Sequence, residues 1–333
     1  MNNQIYQLTV GVLLLLVAEK SAIATVVPPV FVLQWGSEGS ANGQFGRPSG
    51  LAMNASNELM VSDLFTQRIQ VFDSSGAFLR KWGSLGGGNG QFGGSVNGIA
   101  VAPSGDVYVA DGQSAQIEQF TSSGAFIRHW GSSGNGPGQF IYPTGVAVDA
   151  SGNVYVADLL GHRVQKFDAI GTWLGELGST GTGDGQFVGP YAIAIDGTGA
   201  IYVCDKDDSH ICIQKFSPNG AFLIKWGTKG YGDGEFGAPM GIAFDLNGYV
   251  YVTDAGDGHN RVQIFSSSGV FLAKWGGSGT GPGQFDTPLG IAVTGSGEVY
   301  VADALNNRIQ RFSPAVTAAV PVSWGRMKAD YRK

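Results

Sequence analysis

The chain has 333 residues, of which 54 are glycine and only 14% are charged, and its formal net charge is −6 at pH 7. A protein face that binds RNA or duplex DNA usually carries a basic stripe. The lysines here are scattered along the sequence, as at Lys166, Lys215, Lys225 and Lys274, and the composition therefore argues against nucleic-acid binding. Glycine at more than twice its average usage of about 7% indicates a chain rich in tight turns.

The first 24 residues differ in character from the rest of the chain. The apolar run from Leu8 to Ala18 is shorter than the about 20 residues that a membrane-spanning helix needs. Small residues at 22–24 offer a cleavage site, so we predict a secretory signal peptide over residues 1–24 and a linker over 25–30. We expect a secreted or periplasmic protein without a membrane span. Because no Lys or Arg precedes the run, an uncleaved apolar helix or a misassigned start remains the alternative.

A unit of 47 to 49 residues is then repeated six times. Its copy at residues 138–177 indicates four short strands, at 145–148, 154–157, 164–167 and around Trp173, because β-branched and aromatic runs alternate there with turn residues. The second strand is apolar on both faces, so both faces should be buried. A single four-stranded unit cannot bury both faces by itself, and its neighbours in a closed ring must do so.

Two markers show the period. A Gly-Gln-Phe motif or its variant ends at Phe45, Phe92, Phe140, Phe187, Phe236 and Phe285. The second strand of each unit ends at Asp63, Asp111, Asp158, Asp205, Asp254 and Asp303. Four-stranded repeats of this length are typical of propeller blades. The sequence therefore predicts an all-β protein, a six-bladed β-propeller with four antiparallel strands per blade, over residues 31–315.

The repeat resembles the NHL-repeat family of β-propellers. Residues 141–167 and 288–312 carry nearly the whole pattern of this family. The pattern is Pro-x-Gly-Ile-Ala-Val, then Asn-Val-Tyr-Val-Ala-Asp, then His-Arg or Asn-Arg before Ile-Gln or Val-Gln. The resemblance extends over about residues 31–312 and implies a six-bladed propeller. Members of the family bind RNA or protein partners, and related six-bladed propellers include lyases and lactonases. The fold alone does not select among these functions.

The two ends of the repeat region complement each other. Residues 31–36 match the fourth strand of a blade but precede the first full repeat, whereas the last repeat has three strands and ends at Phe312. We predict that the N-terminal strand closes the ring. Trp324-Gly325 is a rival closing strand, but its context favours a short helix in a C-terminal tail over residues 316–333, with Trp324, Met327 and Tyr331 on one face.

The strand-ending aspartates could form a ring of metal ligands, or each could brace its own hairpin. We favour the brace, in which the carboxylate binds loop N–H groups and a nearby arginine. The arginine positions of four blades are Arg68, Arg163, Arg261 and Arg308. Gln116 and Cys212 stand there in blades two and four.

The fourth blade departs most from the repeat. Its hairpin contains the two cysteines of the chain, Cys204 and Cys212, which could form a disulfide in an exported protein. Strand alternation would instead place them on opposite faces of the sheet. A calcium site at Asp205, Asp207 and Asp208 is an alternative to a solvated acidic loop. We expect no other cofactor. Zinc shared by the hairpin histidines of three blades is disfavoured because neighbouring blades splay apart.

The loops between blades and the hairpins after the aspartates should lie on one face, around the channel mouth. We predict binding residues at the mouth, where each blade contributes the position between Pro and Gly: Ser49, Asn97, Thr144, Tyr191, Met240 and Leu289. Leu159 and Leu160 are apolar hairpin residues on the same face. No catalytic residues stand out. We therefore predict an exported, non-catalytic propeller that binds a protein or peptide, with a metal-dependent lyase or lactonase as the alternative; the sequence leaves the oligomeric state open.

Overall fold

The computed structural model describes residues 26–256 and 258–315, which contain 24 β-strands in six four-stranded antiparallel sheets. The innermost strands are β2 (Pro48–Met53), β6 (Val96–Val101), β10 (Pro143–Val148), β14 (Pro190–Ile195), β18 (Ala238–Phe244) and β22 (Pro288–Val293). The second strands are β3 (Leu59–Asp63), β7 (Val107–Asp111), β11 (Val154–Asp158), β15 (Ile201–Asp207), β19 (Val250–Ala255) and β23 (Val299–Asp303). The third strands are β4 (Arg68–Phe72), β8 (Gln116–Phe120), β12 (Arg163–Phe167), β16 (His210–Phe216), β20 (Arg261–Phe265) and β24 (Arg308–Ser313). The outer strands are β5 (Phe78–Trp82), β9 (Phe126–Trp130), β13 (Trp173–Leu177), β17 (Phe222–Trp226), β21 (Phe271–Gly276) and β1 (Val30–Trp35).

The six sheets form a closed ring. Each innermost strand contacts the innermost strands of both neighbouring blades, and the contact between β2 and β22 closes the circle. The predicted six-bladed β-propeller is confirmed. We number the blades one to six from β2 to β22, so blades one and four face each other across the channel.

The N-terminal strand completes blade six, as the sequence predicts. Strand β1 pairs antiparallel with β24, from Val30 opposite Ser313 to Trp35 opposite Ile309. The Trp35 ring lies 6.2 Å from the ring of Tyr300 in the same blade. In this position β1 covers the edge that the third strand of blade six would otherwise expose.

Burial follows strand position within each blade. The second strand Val154–Asp158 is fully buried, as expected for a strand covered on both faces, whereas the outer strand Phe78–Trp82 alternates between half-buried and exposed residues. The hydrophobic core therefore consists of layers between adjacent blades. No helix in the described part of the chain is long and apolar enough to cross a membrane.

The Gly-Gln-Phe links join one blade to the next. Phe140 is completely buried, and its ring lies 5.6 Å from the ring of Phe167 in the blade that follows the link. Gly131 adopts φ of +102°, and a Cβ atom there would lie 2.8 Å from the Phe140 ring. The repeated glycines are thus required by close packing of the links.

The predictions for both chain ends concern residues outside the described ranges. They are the signal peptide over residues 1–24 and the tail helix over residues 316–333. Trp324-Gly325 was the rival candidate for the outer strand of blade six. That position, next to β24, is occupied by β1.

Candidate functional site at the channel mouth

The side chains at the start of the innermost strands converge on the channel axis. Pro143 pairs with Asp158, so this end of the blade carries both the links and the hairpins that follow the aspartates. We call it the loop face. The structure places all six predicted mouth residues around one cavity of about 90 Å³: Ser49, Asn97, Thr144, Tyr191, Met240 and Leu289.

The polar members of this ring bind the neighbouring blade. The Ser49 hydroxyl donates to the Val96 carbonyl at 3.1 Å, and the Thr144 hydroxyl donates to the Tyr191 carbonyl at 2.8 Å. Asn97 also donates to a backbone carbonyl of the next blade. All three side chains are buried, so their hydrogen bonds stabilise blade packing. Tyr191 is half-buried and remains available to a ligand.

Two further rings of residues lie on the loop face, next in sequence to the ends of the first and second strands. The first set consists of the residues directly before the Pro of each blade, or before Val96 in blade two: Arg47, Ser95, Tyr142, Gly189, Ala238 and Thr287. The residues after the strand-ending aspartates are Leu64, Gly112, Leu159, Lys206, Ala255 and Ala304. Backbone hydrogen bonds link the two sets, as from Lys206 N to Gly189 O at 3.0 Å. We define the mouth as these two rings and the six residues around the cavity. It contains two cations, Arg47 and Lys206, and no Asp, Glu, His or Cys.

Blade four contributes a cation and an aromatic ring in direct contact. Lys206 Nζ lies 3.7 Å from the centre of the Tyr191 ring, which is a cation–π geometry. Burial and, as the smaller cause, the positive charge of Arg47 lower the pKa of Lys206 to about 8. Burial also raises the pKa of the Tyr191 phenol to about 12. Desolvation and a second cation both disfavour the charged lysine, so an anion at this point would be stabilising.

The opposing cation, Arg47, lies in blade one. Its guanidinium carbon is 5.8 Å from the centre of the Phe65 ring, and its buried Nε atom has no hydrogen-bond partner in the described residues. Neither Arg47 nor Lys206 forms a salt bridge with another described residue. The mouth thus offers unpaired positive charge to a ligand.

Apolar hairpin residues border the mouth. Leu160 is 52% exposed and Phe65 is 65% exposed, whereas Leu159 is half-buried. A Cβ atom on Gly189 would lie 3.5 Å from Leu159 Cδ1, so Leu159 leans toward blade four. Of the two predicted leucine anchors, Leu160 presents more apolar surface to solvent.

The strand-ending aspartates are completely buried in all six blades. Asp158 accepts hydrogen bonds from the N–H groups of Ile141 and Tyr142 at 3.0 and 2.9 Å. Arg163 Nε lies 3.6 Å from the same carboxylate, and its Nη2 donates to the Gln139 carbonyl in the link at 2.9 Å. The aspartates and arginines thus connect each hairpin to its link.

The strength of the ion pair varies among the blades. Arg308 Nε is 2.7 Å from Asp303, and Arg261 Nε is 2.9 Å from Asp254. Arg68 in blade one binds link carbonyls, including Gln44 O at 2.8 Å, without a salt bridge to its aspartate. Blades two and four lack an arginine at this position.

The cysteines of blade four are free thiols, so the disulfide that the sequence allowed is not formed. Cys204 pairs with Ile213 and Cys212 pairs with Asp205. The cysteines therefore lie on opposite faces of the sheet, in keeping with strand alternation.

The three acidic residues considered for calcium have different surroundings. Asp205 binds backbone N–H groups, as from Val188 at 3.1 Å. The Asp207 carboxylate accepts the Ser209 N–H at 2.9 Å, and Asp208 is 3.4 Å from Lys229 at the surface. The ligand atoms that converge here belong instead to Asp205, His210 and Cys212, all within 4.8 Å of one another. The alternative calcium ligands Asp207 and Asp208 are not part of that cluster.

Sequence reasoning missed Arg47, Tyr142 and Lys206. Tyr142 lies with its hydroxyl 2.6 Å from that of Ser95. Their position in the repeat is the signal that could have found them. Arg47 and Tyr142 directly precede the recurring Pro, and Lys206 directly follows the recurring Asp. Their common location becomes evident only when equivalent positions are compared around a closed ring.

Comparisons with known proteins agree with this architecture. The NHL repeat family model matches residues 140–167 and 285–312. The protein brain tumor of Drosophila melanogaster is 38% identical over 74 residues, a segment that covers 20% of this chain and 7% of that relative. This chain thus matches less than a tenth of the length of the curated relative.

Solved propellers are similar in fold. Streptogramin B lyase superposes with a TM-score of 0.60 at 15% identity, over 85% of this chain and 97% of that chain. A gluconolactonase of Xanthomonas campestris superposes with a TM-score of 0.61 at 15% identity, over 87% and 99% of the respective chains. At this identity the likeness concerns the fold alone. The chain is therefore a six-bladed β-propeller in which residues 140–167 and 285–312 match the NHL repeat.

Proposed function

We propose that the protein is an exported, non-catalytic binding propeller whose loop face takes an acidic peptide segment of a partner protein. The observation that carries the proposal is the composition of the mouth, whose charged members are Arg47 in blade one and Lys206 in the opposing blade four, neither of them in a salt bridge with a described residue. A carboxylate between them would gain charge-assisted hydrogen bonds in a partly desolvated site.

Aromatic and apolar side chains next to the cations suit a peptide. Tyr191 presents a half-buried amphipathic ring beneath Lys206, and Leu160 and Phe65 are exposed at the rim. Buried aromatic anchors surrounded by other contacts are the usual arrangement of energetic centres in protein interfaces. A peptide with an acidic residue flanked by apolar residues matches this chemistry.

The alternative, a metal-dependent lyase or lactonase, has weaker support. The solved lyase and lactonase share the fold at 15% identity. A metal centre on the axis would need oxygen or nitrogen ligands there, and the mouth contains no Asp, Glu or His. We therefore favour binding over catalysis.

A peptide array tests the proposal. Purified protein is applied to peptides in which each glutamate-containing sequence is paired with its glutamine and lysine counterparts. We expect a preference for the glutamate members that weakens as salt is added. The Kd of the best acidic peptide is then measured for Lys206→Gln and Arg47→Gln. Each variant should bind about tenfold more weakly or worse, the scale of one charge-assisted contact.

Matched controls separate the mouth from general charge and hydrophobicity. Lys81→Gln removes an exposed lysine of an outer strand and should leave the Kd unchanged. Leu160→Asp should weaken binding, whereas Leu246→Asp changes an 82% exposed leucine on the opposite face and should not. Equal affinity for all folded variants, or an array without charge preference, would overturn the proposal.

A further inference from the structure

Three potential metal ligands converge in the hairpin of blade four. The ligand atoms of Asp205, His210 and Cys212 all lie within 4.8 Å of one another, and Cys212 Sγ is 3.3 Å from His210 Nε2. Zinc–sulfur and zinc–nitrogen bonds of about 2.3 and 2.0 to 2.1 Å at a tetrahedral angle place the two ligand atoms about 3.6 Å apart. The side chains are thus close to the spacing that a tetrahedral ion requires.

The cluster occupies the place of an arginine. Asp303 receives the guanidinium of Arg308 at 2.7 Å, and Asp254 receives that of Arg261 at 2.9 Å. Cys212 stands at the arginine position of blade four, and no Lys or Arg of the described residues forms a salt bridge with Asp205. A completely buried carboxylate without a cation is costly. Asp205 is completely buried, so blade four has a place for another positive charge.

Lys225 takes over part of the missing arginine's role without reaching the aspartate. Its Nζ donates to the Thr182 carbonyl in the link at 3.3 Å and lies 2.9 Å from Asp184. In blade three, arginine provides the equivalent contact to the link carbonyl together with a contact to the buried aspartate. The link of blade four is therefore held by lysine, while the Asp205 carboxylate accepts link N–H groups and has no cationic partner among the described residues.

We propose that blade four binds a transition-metal ion of the zinc class through Asp205 Oδ, His210 Nε2 and Cys212 Sγ. Thiolate, imidazole and carboxylate together select zinc or cobalt over calcium and magnesium. Binding replaces the thiol proton of Cys212 by the metal–sulfur bond and releases that proton to solvent. The ion supplies the charge that arginine supplies in blades three, five and six.

The site is open on one side. A surface cavity of about 460 Å³ is lined by His210, Cys212, Lys225 and Trp226. Three protein ligands leave the fourth tetrahedral position of zinc to a solvent molecule. The solvent molecule in that position can exchange with another ligand, and the site is separate from the mouth.

Metal titration of the full-length protein, in a non-thiol reductant, tests the proposal. After EDTA treatment and dialysis, we expect ZnCl₂ to bind at one equivalent per chain with release of about one proton at neutral pH. CoCl₂ should give a thiolate-to-cobalt charge-transfer band. His210→Ala and Cys212→Ser should each lower the affinity more than the about 10–100-fold that loss of a supporting contact costs.

Three further variants keep the test decisive. Cys204→Ser and His259→Ala remove a cysteine and a hairpin histidine outside the cluster and should bind zinc as the parent does. Cys212→Arg restores the arginine of the other blades, so it should fold stably and show no cobalt–thiolate band. The proposal fails if the parent binds no zinc at micromolar concentration. It also fails if folded His210→Ala and Cys212→Arg bind zinc as tightly as the parent.

Discussion

Blades four and six differ in what their equivalent buried aspartates contact. In blade six the buried Asp303 carboxylate meets Arg308, Asn306 and the Asp286 N–H group. In blade four Asp205 receives link N–H groups and faces His210 and Cys212. The four-stranded sheet of blade four therefore forms without an arginine at this position.

Blade four also carries one of the two cations of the mouth, Lys206. Lys206 follows the strand-ending aspartate, where the other blades have Leu, Gly or Ala. Asp205 and Lys206 are adjacent residues of β15, and strand alternation directs them to opposite faces. Asp205 turns toward His210 and Cys212, and Lys206 toward the Tyr191 ring. Both proposed sites thus draw on the blade that matches its repeat least.

Aspartate removal in the two blades gives the largest expected contrast. Asp303→Ala leaves the buried Arg308 guanidinium without its carboxylate, and breaking a buried ion pair in this way costs about 3–5 kcal/mol. Asp205→Ala in metal-free protein removes a carboxylate whose pKa is raised by burial, and leaves link N–H groups unpaired at about 1–3 kcal/mol. Urea unfolding with unchanged m-values measures both. Equal losses would contradict the comparison.

Blade two sharpens the comparison in another way. It has Gln116 in place of arginine, and Glu118 where the other blades have glutamine. In blade three the equivalent Gln165 accepts the Gly138 N–H at 2.9 Å and donates to the Gln139 carbonyl at 2.6 Å. Glu118 Oε2 is buried without a partner. A protonated Glu118 can reproduce the glutamine's donor.

The pKa of Glu118 supports this interpretation. Burial raises it from its ordinary value of 4.5 to about 8, and the charge of Asp111 contributes. Between pH 4.5 and about 8, Glu118 is therefore protonated in the folded protein and ionised in the unfolded chain. The free energy of unfolding should fall as pH rises from about 4.5 to 8 and be unaffected by this group at lower pH.

Glu118→Gln should remove that pH dependence and stabilise the protein at neutral and higher pH. We expect a gain of about 1–3 kcal/mol near pH 8 and little change at pH 4, since the parent is protonated there in both states. Urea midpoints measured across this range provide the test. Glu38→Gln, at an exposed site, makes the same charge change and should show no such difference. A constant difference across pH would contradict the buried proton.

The sequence predicts the propeller well because its signals are periodic and local. The spacing of Phe140, Asp158 and the turn glycines defines the strands, and the split blade predicts ring closure by residues 31–36, which the pairing of β1 with β24 confirms. The six mouth residues could also be found, because register places one position of each repeat on the axis.

The candidate sites are harder to predict because they depend on contacts between repeats or across a hairpin. Arg47 and Lys206 are more than 150 positions apart and lie near each other only because blades one and four are opposed. Ser49 and Thr144 are positioned at the axis but are used by the neighbouring backbone, which composition cannot indicate. In blade four the two-residue hairpin pairs Asp207 with His210. That register brings a histidine, rather than further carboxylates, to Asp205.

The smallest expected effect concerns the pH dependence of peptide binding and separates Lys206 from Arg47. Because burial lowers the pKa of Lys206 to about 8, this side chain is mostly charged at pH 7 and mostly neutral at pH 9. Arginine and the glutamates of an acidic peptide keep their charges over that interval. The Kd of the peptide should therefore rise by up to about tenfold between pH 7 and 9. Lys206→Gln should bind weakly with no such change. Arg47→Gln should bind weakly and keep a pH dependence that is shifted to higher pH, because the charge of Arg47 no longer lowers the pKa of Lys206. Titrations at constant ionic strength distinguish the two variants, and a pH dependence that survives in Lys206→Gln would assign the titrating group elsewhere.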